Sequence, residues 1–231
     1  SLDQLYHYID QEIDRTLQRA SWNKSELKNI PILVGSTAYV ISDCEMRVAN
    51  HQPLPDEHSL AVISDDLRIR YQTEVFSIAT SCTSSAQAIG YAYKMLKANM
   101  YEKILVVGFE MFNRLTFEHF QSMNLLSQAD KYQPFANPTG IVLGEGVGCI
   151  ALSTQSNLTF SCEIFGVTTI TDNENLTNSS EIALRQLLAD CLAKTHLNTR
   201  DIQAIKVHGV GSNSDMMEQQ VLDKLFPYVE R

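Results

Sequence analysis

Short apolar runs alternate with longer amphipathic segments along this chain, and this alternation restricts the fold more than any other feature of the sequence. Each strand-like run is rich in aliphatic residues, and the segments between the runs carry apolar residues at three- and four-residue steps. The predicted strands are IPILVGS, EVFSIAT, KILVVGF, VGCIALS, FSCEIFGVTTI and IQAIKVHG. Strands that alternate with helices indicate an α/β fold.

The helical periodicity is clearest at the start of the chain, where Leu2, Leu5 and Ile9 begin a series of apolar residues separated by charged ones. Helices are predicted over residues 2–17, near 59–70, over 84–99, near 116–123, and over 180–194 and 215–226. The stretch 41–57 contains Pro53 and Pro55, and we predict that it is an irregular excursion over the surface.

Two segments of the sequence align with each other without a gap. They are LQRASWNKSELKNIPILVGS from Leu17 and LAKTHLNTRDIQAIKVHGVG from Leu192. Five aligned pairs share their chemical type: Leu17 and Leu192, Asn23 and Asn198, Glu26 and Asp201, Leu27 and Ile202, Ile30 and Ile205. Such a repeat indicates two halves of one architecture. Helix-turn-strand units also resemble one another by chance, so the repeat by itself leaves both explanations open.

Composition and charge narrow the functional classes. With 231 residues and 44% hydrophobic content, the chain is large enough to bury a substantial core. No run of 18 apolar residues occurs, so no membrane span is predicted. The net charge of -9 disfavours binding to nucleic acid or anionic membranes. The five cysteines are scattered without a CxxC pair, which disfavours a disulfide framework or zinc site and predicts a cytoplasmic protein.

Cys82 lies at the junction between the predicted strand EVFSIAT and the predicted helix 84–99. A helix N-terminus stabilises a thiolate through its amide groups and its dipole, which suits a nucleophile. The flanking residues, from Thr80 to Ser84, have small polar side chains that leave access to the sulfur. A small buried cysteine in a tight packing position fits the same pattern, so the residues alone allow both interpretations.

Two further residues are candidates for a site. His208 lies at the end of an apolar predicted strand beside a glycine-rich turn, where a side chain would project into a cleft. A satisfied polar residue is the alternative for this histidine. Glu145 stands between glycines in VLGEGVG, where a turn before a hairpin is the alternative. No phosphate-loop lysine follows this segment, so it is not a nucleotide-binding motif.

Five segments together resemble, in order and approximate spacing, the β-ketoacyl-acyl carrier protein synthases of the thiolase fold. The segments are ATSCTSSAQAIGYAYKML, KILVVGFE, LLS, QPFANPTGIVLGEGVGCIAL and IQAIKVHGVGSNSDMMEQQVL. The resemblance implies a layered αβαβα architecture of two similar halves, which agrees with the repeat. Residues 1–231 are then expected to form a single ketosynthase-like domain, shortened at both ends. Its N-terminal half covers about 1–155 and its incomplete C-terminal half about 156–231.

The resemblance also implies roles for individual residues. The cysteine at the Cys82 position takes up an acyl chain from a carrier protein. The histidine at the His208 position helps to decarboxylate the malonyl extender and stabilises the enolate oxygen. The acidic residue at the Glu218 position belongs to the supporting network, and we place Glu145 with it as a support residue. Acyl groups arrive on the phosphopantetheine of an acyl carrier protein, so neither a bound cofactor nor a metal is expected.

Some positions depart from the family pattern. The usual HGTGT reads HGVGS, so Val210 replaces a hydroxyl that contacts the pantetheine amides, and the spacing from His208 to Glu218 is one residue shorter than usual. Ala136 and Thr139 stand where an aspartate and an arginine are common. The family's second lysine and histidine motif and its gate loop are expected beyond the last residue, and its first strand before the first.

Three hypotheses follow. The favoured one is a ketosynthase-like subunit similar to the chain-length factors of type II polyketide or aryl polyene systems, which forms a heterodimer with a full-length ketosynthase through EVFSIAT and shapes its acyl tunnel. The second is an active decarboxylating β-ketoacyl synthase that uses Cys82 and His208. The third is a cysteine acyltransferase or hydrolase with the same dyad. The acidic acyl carrier protein is expected to dock mainly on the partner, with Lys94, Lys97 and Lys103 at most assisting.

Overall fold

Four of the apolar runs form one sheet in the computed structural model, which describes residues 1–57, 59, 61–155, 158, 160–173 and 180–229. The strands are β1 (Ile32–Gly35), β2 (Val75–Ile78), β3 (Lys103–Glu110) and β4 (Gly146–Ser153). Their order in the sheet is β2-β1-β3-β4. β1 pairs in parallel with β2 and β3, and β4 is antiparallel to β3. β2 is therefore one edge of the described sheet.

Helices precede, connect and follow the strands along the chain. They are α1 (Leu2–Ala20), α2 (Ile41–Ala49), α3 (Ala61–Tyr71), α4 (Ser84–Lys97), α5 (Arg114–Ser122), α6 (Glu181–Thr195) and α7 (Ser214–Leu225). Two 3-10 helices cover Lys24–Asn29 and Thr199–Asp201. The predicted helices are confirmed, with ends that differ by one to a few residues.

The sheet is covered on both faces because successive side chains of a strand point to opposite sides. In β1, Ile32 and Val34 belong to the apolar cluster formed with α1 and α3, whereas Leu33 packs against α4. The α1 and α3 residues of the first cluster are Leu5, Ile9, Ile13, Leu17, Ile63 and Leu67. The α4 residues of the second cluster are Ala88, Ala92 and Leu96. Because helices cover both faces of the sheet, every residue of β1 is buried.

Two compact units make up the chain. The first comprises Ser1–Glu118 and Gly144–Glu163, and it contains the sheet. The second comprises His119–Leu143 and Ile164–Arg231, and it contains α6 and α7. These units do not correspond to the two predicted thiolase-type halves, which were inferred from the internal repeat. The predicted boundary between the halves near residue 155 stays a prediction.

The two copies of the internal repeat share local geometry. α1 ends at Ser21 with φ 56°, and α6 ends at His196 with φ 57°, so both helices terminate in a left-handed residue. The next residue in each copy, Trp22 or Leu197, donates its amide to the last turn of the helix. The residue after that, Asn23 or Asn198, is the N-cap of the following 3-10 helix. The shared geometry favours the interpretation of the repeat as two halves of one architecture.

Two predicted strands were wrong. FSCEIFGVTTI and IQAIKVHG contain no strand in the described structure, apart from a single bridge residue at Ala204. Alternation of apolar and polar residues indicates which side chains are covered. It does not identify the neighbouring backbone that a strand needs for its amide and carbonyl groups.

The predicted surface excursion over 41–57 was also wrong in its first part, which forms α2. Asp43 of this helix is only 3% exposed; it accepts the Leu2 amide at 3.0 Å and pairs with Arg47 at 2.7 Å. Pro53 and Pro55 lie beyond the end of α2. They indicate where the helix stops and do not exclude a helix before them.

Across the described part of the chain, no helix is long and apolar enough to cross a membrane.

Candidate functional site

Cys82 lies on an exposed turn between β2 and α4. Ser81 has a left-handed φ of 56°, so the chain reverses sharply before the helix. Two hydroxyl groups close the turn: Thr83 Oγ1 donates to the Thr80 carbonyl at 2.8 Å, and Ser84 Oγ donates to the Ser81 carbonyl at 2.6 Å. A sharp strand-to-helix turn presents a nucleophile at the start of a helix on a fixed backbone. The predicted position of Cys82 is present, and its chemical role stays a prediction.

Two paired glycines, Gly35 at the end of β1 and Gly108 in β3, allow α4 to approach the sheet. A Cβ atom on Gly35 would lie 2.6 Å from the carbonyl oxygen of Ser84 and 2.7 Å from Ser85 Cα. Gly108, which is opposite Gly35 in the sheet, faces the Ser85 side chain with similarly little space. The Ser85 hydroxyl donates to the Gly35 carbonyl at 3.2 Å. These contacts fix the first turn of α4, and therefore Cys82, against the ends of β1 and β3.

The other thiols have different surroundings. Burial raises the pKa of Cys149 to about 12. Burial, followed by the Asp43 carboxylate, raises the pKa of Cys44. Both thiols are therefore protonated at neutral pH and are poor nucleophiles. Cys162 is exposed outside any strand, contrary to the prediction, and Cys191 is partly buried in α6.

Carboxylates of α7 hold residues 208–211, the glycine-rich loop that carries His208. The amides of His208 and Gly209 donate to the two oxygens of Glu218 at 2.8 and 3.2 Å. The next two amides of the loop donate to the two oxygens of Asp215 at 3.2 and 2.9 Å. Four consecutive backbone amides are thus bound by two side chains of one helix, while His208 itself is exposed.

Asp215 is a functional candidate that the sequence analysis missed. It is only 1% exposed, and it accepts a third amide, from Phe135, at 3.2 Å. A buried carboxylate is costly unless hydrogen bonds replace its lost hydration, and charge-assisted bonds from several amides do so. The position of Asp215 in the first turn of a helix, just after a glycine-rich loop, was the one sequence feature that indicated a role in the site. An acidic residue that only stabilises the start of the helix has the same position.

The segment 132–140 binds the carbonyl groups of the same glycine-rich loop. The Tyr132 hydroxyl donates to the Gly209 carbonyl at 3.2 Å, and the Gly140 amide donates to the Gly211 carbonyl at 2.8 Å. Gly209 and Gly211 have left-handed φ angles of 53° and 80°. A Cβ atom on Gly209 would lie 2.6 Å from the Phe135 ring, so both conformation and space require glycine there.

Glu145, the other predicted support residue, binds a backbone amide of the first unit. Its Oε1 accepts the Phe112 amide at 2.7 Å, just after β3. Glu110, the last residue of β3, accepts the amides of Thr37 and Ala38 at 2.9 and 3.0 Å. Both carboxylates therefore fix loops at the carboxyl ends of β1 and β3. The sequence analysis missed Glu110, although an acidic residue directly after an apolar strand indicated it.

The predicted site residues fall in different units: Cys82 and Glu145 in the first, His208 and Glu218 in the second. Glu218 contacts the backbone of His208, an arrangement compatible with its predicted support role. Within the residues whose placement is described, no cluster of three or more His, Cys, Asp or Glu side chains could hold a metal ion.

Comparisons with known proteins identify the relatives of this chain. The family described as Beta-ketoacyl synthase, N-terminal domain, matches residues 2–157. Nodulation protein E of Rhizobium sp. (strain N33) is 28% identical over 160 residues, which are 66% of this chain and 40% of that protein. The chain therefore spans less than half the length of this relative.

Two solved structures have a similar fold. The ketosynthase from module 6 of the bacillaene synthase of Bacillus subtilis 168 matches with a TM-score of 0.75 at 18% identity, over 94% of this chain and 39% of its own. A chain from the complex of the ketosynthase ApeO with its chain length factor ApeC, from Xenorhabdus doucetiae, matches with a TM-score of 0.71 at 20% identity, over 94% of this chain and 56% of its own. These matches confirm the predicted thiolase-like fold.

Proposed function

The chain belongs to the β-ketoacyl synthase family, and from that premise we propose that it is a ketosynthase-like subunit for chain elongation of the fatty-acid or polyketide type. In this role it pairs with a full-length β-ketoacyl synthase and shapes the acyl tunnel of that partner, as a chain-length factor. Acyl groups reach the pair on the phosphopantetheine of an acyl carrier protein. The similarity to a chain of a ketosynthase and chain length factor complex supports this proposal.

The observation that carries the proposal is the position of β2 at the edge of the sheet. β2 pairs with β1 on one side, and Phe76 within it is 39% exposed. An edge strand with an exposed aromatic side chain is a template for pairing with another chain. Because β2 leads directly into the Cys82 turn, a partner that extends the sheet at β2 would lie beside that turn.

The glycine-rich loop gives a second argument for a partner-dependent role. Family members have a hydroxyl for the pantetheine amides where this chain has Val210. Removal of a hydrogen-bonding side chain leaves a polar group of the bound arm without its partner, which typically weakens binding by about 1–3 kcal/mol. A subunit that does not itself carry out condensation tolerates this loss more easily than an independent enzyme does.

Co-expression with a complete β-ketoacyl synthase from the same genome tests the proposal. We expect the two proteins to co-elute as a heterodimer that condenses carrier-bound acyl and malonyl groups. Cys82→Ala should leave the activity within about twofold of wild type, like the control Cys162→Ala, whereas loss of the partner's nucleophile should abolish it. Chain elongation by this protein alone would disprove the proposal.

A second function is favoured by the geometry of the Cys82 turn. The thiol is exposed on a sharp turn at a helix start, and Glu218 holds the backbone of His208; both features support a decarboxylating synthase that uses these two residues. For an active synthase, the isolated chain should form an acyl thioester on Cys82, detected by intact mass, and should release carbon dioxide from malonyl carrier protein. Release of free fatty acid without malonyl consumption would instead indicate the hydrolase of the third hypothesis.

A further inference from the structure

We propose that Tyr132 is a positioning residue that steadies the loop carrying His208 by locking the peptide group between Gly209 and Val210; the relevance of His208 to catalysis rests on the second function proposed above, the active synthase. The Tyr132 hydroxyl donates to the Gly209 carbonyl oxygen at 3.2 Å. The amide of the same peptide group, which belongs to Val210, donates to Asp215 at 3.2 Å. This peptide group is therefore bound at both of its ends.

Locking this peptide group matters because it directly follows Gly209 and lies one residue before Gly211, two residues that have unusual conformational freedom. Gly209 and Gly211 are both left-handed, and glycine crosses between positive and negative φ at little cost. A planar peptide group rotates as a unit, so reversing it would break the Tyr132 and Asp215 bonds together. Turning this peptide group changes the ψ angle of Gly209, which directly follows His208, so fixing it restricts the conformations of the loop that carries the His208 side chain.

The ring of Tyr132 adds a steric contribution to the hydrogen bond. A Cβ atom on Gly211 would lie 2.8 Å from Tyr132 Cε2, so the ring rests on the backbone of the loop. Tyr132 is still 45% exposed, and it covers the loop from the solvent side. Burial, followed by the Asp215 carboxylate, raises the pKa of Tyr132. The hydroxyl therefore remains a proton donor at neutral and mildly alkaline pH.

Two variants separate these contributions. Tyr132→Phe removes the hydroxyl and keeps the ring, whereas Tyr132→Ala removes both. Tyr228→Phe is the matched control, because Tyr228 belongs to the same unit and is 99% exposed. The readouts are hydrogen exchange of the 208–212 amides and the NMR signals of the His208 ring in histidine-labelled protein.

We expect Tyr132→Phe to accelerate exchange of these amides roughly two- to fivefold, the effect of one lost hydrogen bond, and to broaden or split the His208 ring signals. Tyr132→Ala should have a larger effect, and Tyr228→Phe should match wild type with an unchanged unfolding midpoint. Unchanged exchange and His208 signals in Tyr132→Phe would overturn the proposal, as would equal changes in Tyr228→Phe. Neither readout needs substrate or partner, so a failure of the proposed function in the condensation assay is separable from a failure here.

Discussion

At the scale of single residues, carboxylates that accept backbone amides recur throughout this structure. Glu45 accepts the amides of Arg114 and Leu115, both at 2.7 Å, and so holds the start of α5. Glu110 and Glu218 each bind two successive amides in the same way. Charge-assisted bonds of this kind are stronger than neutral ones. Part of the excess of acidic residues in a chain of net charge -9 thus serves to fix loops rather than to pair with cations.

The first prediction at this scale concerns the reactivity of Cys82. We expect iodoacetamide at neutral pH to modify Cys82 at least about tenfold faster than the other four thiols, because only this thiol adjoins a helix N-terminus on an exposed turn. Peptide mass analysis after timed labelling measures the rates. Cys162 is the internal control, since it is exposed without such a turn. Equal rates at Cys82 and Cys162 would mean that exposure alone decides reactivity.

At the scale of elements, the approach of α4 to the sheet depends on glycine at the end of β1. Gly35→Ala places a Cβ atom 2.6 Å from the Ser84 carbonyl oxygen, which belongs to the backbone and cannot rotate away. We expect it to lower the free energy of unfolding by about 1–3 kcal/mol and to reduce the alkylation rate of Cys82, since α4 must shift. Urea denaturation and the labelling assay measure the two effects.

Gly148→Ala is the matched control for this change. Gly148 also lies in a strand of the same sheet, but nothing lies within 4 Å of a Cβ atom built there. We expect this variant to retain wild-type stability and labelling. The explanation by close approach of α4 would be refuted by a comparable loss in both variants.

Sequence reasoning predicted the elements whose pattern is local and failed where a distant partner decides the structure. The periodicity of α1 and the apolar run of β1 are complete signals in themselves, and both elements are where they were expected. The runs FSCEIFGVTTI and IQAIKVHG carry equal alternation, but a strand also needs a neighbouring backbone. In the candidate site, motif order predicted Cys82 and Glu218, and their roles stay predictions. Tyr132 was missed, because no local pattern indicates which carbonyl its hydroxyl binds.

At the scale of the whole molecule, surface charge bears on where a carrier protein docks. Lys94 and Lys97 are exposed on α4, each within 6 Å of a tyrosine ring. Lys103 is instead paired with Glu26. On a chain of net charge -9, Lys94 and Lys97 provide little attraction for an acidic carrier. This balance agrees with the proposal that the carrier docks mainly on the partner.

The last prediction tests whether β2 is the pairing edge. Phe76→Asp places a charge on the edge strand, which blocks sheet extension because the carboxylate would lose its hydration at the interface. We expect the variant to elute as a monomer when co-expressed with the partner synthase, while its circular dichroism and Cys82 labelling stay at wild-type values. Ile182→Asp is the control: Ile182 is 81% exposed on α6, so the same kind of change there should leave the heterodimer intact. A heterodimer that survives Phe76→Asp would place the interface away from β2, and the proposed function would lose its main support.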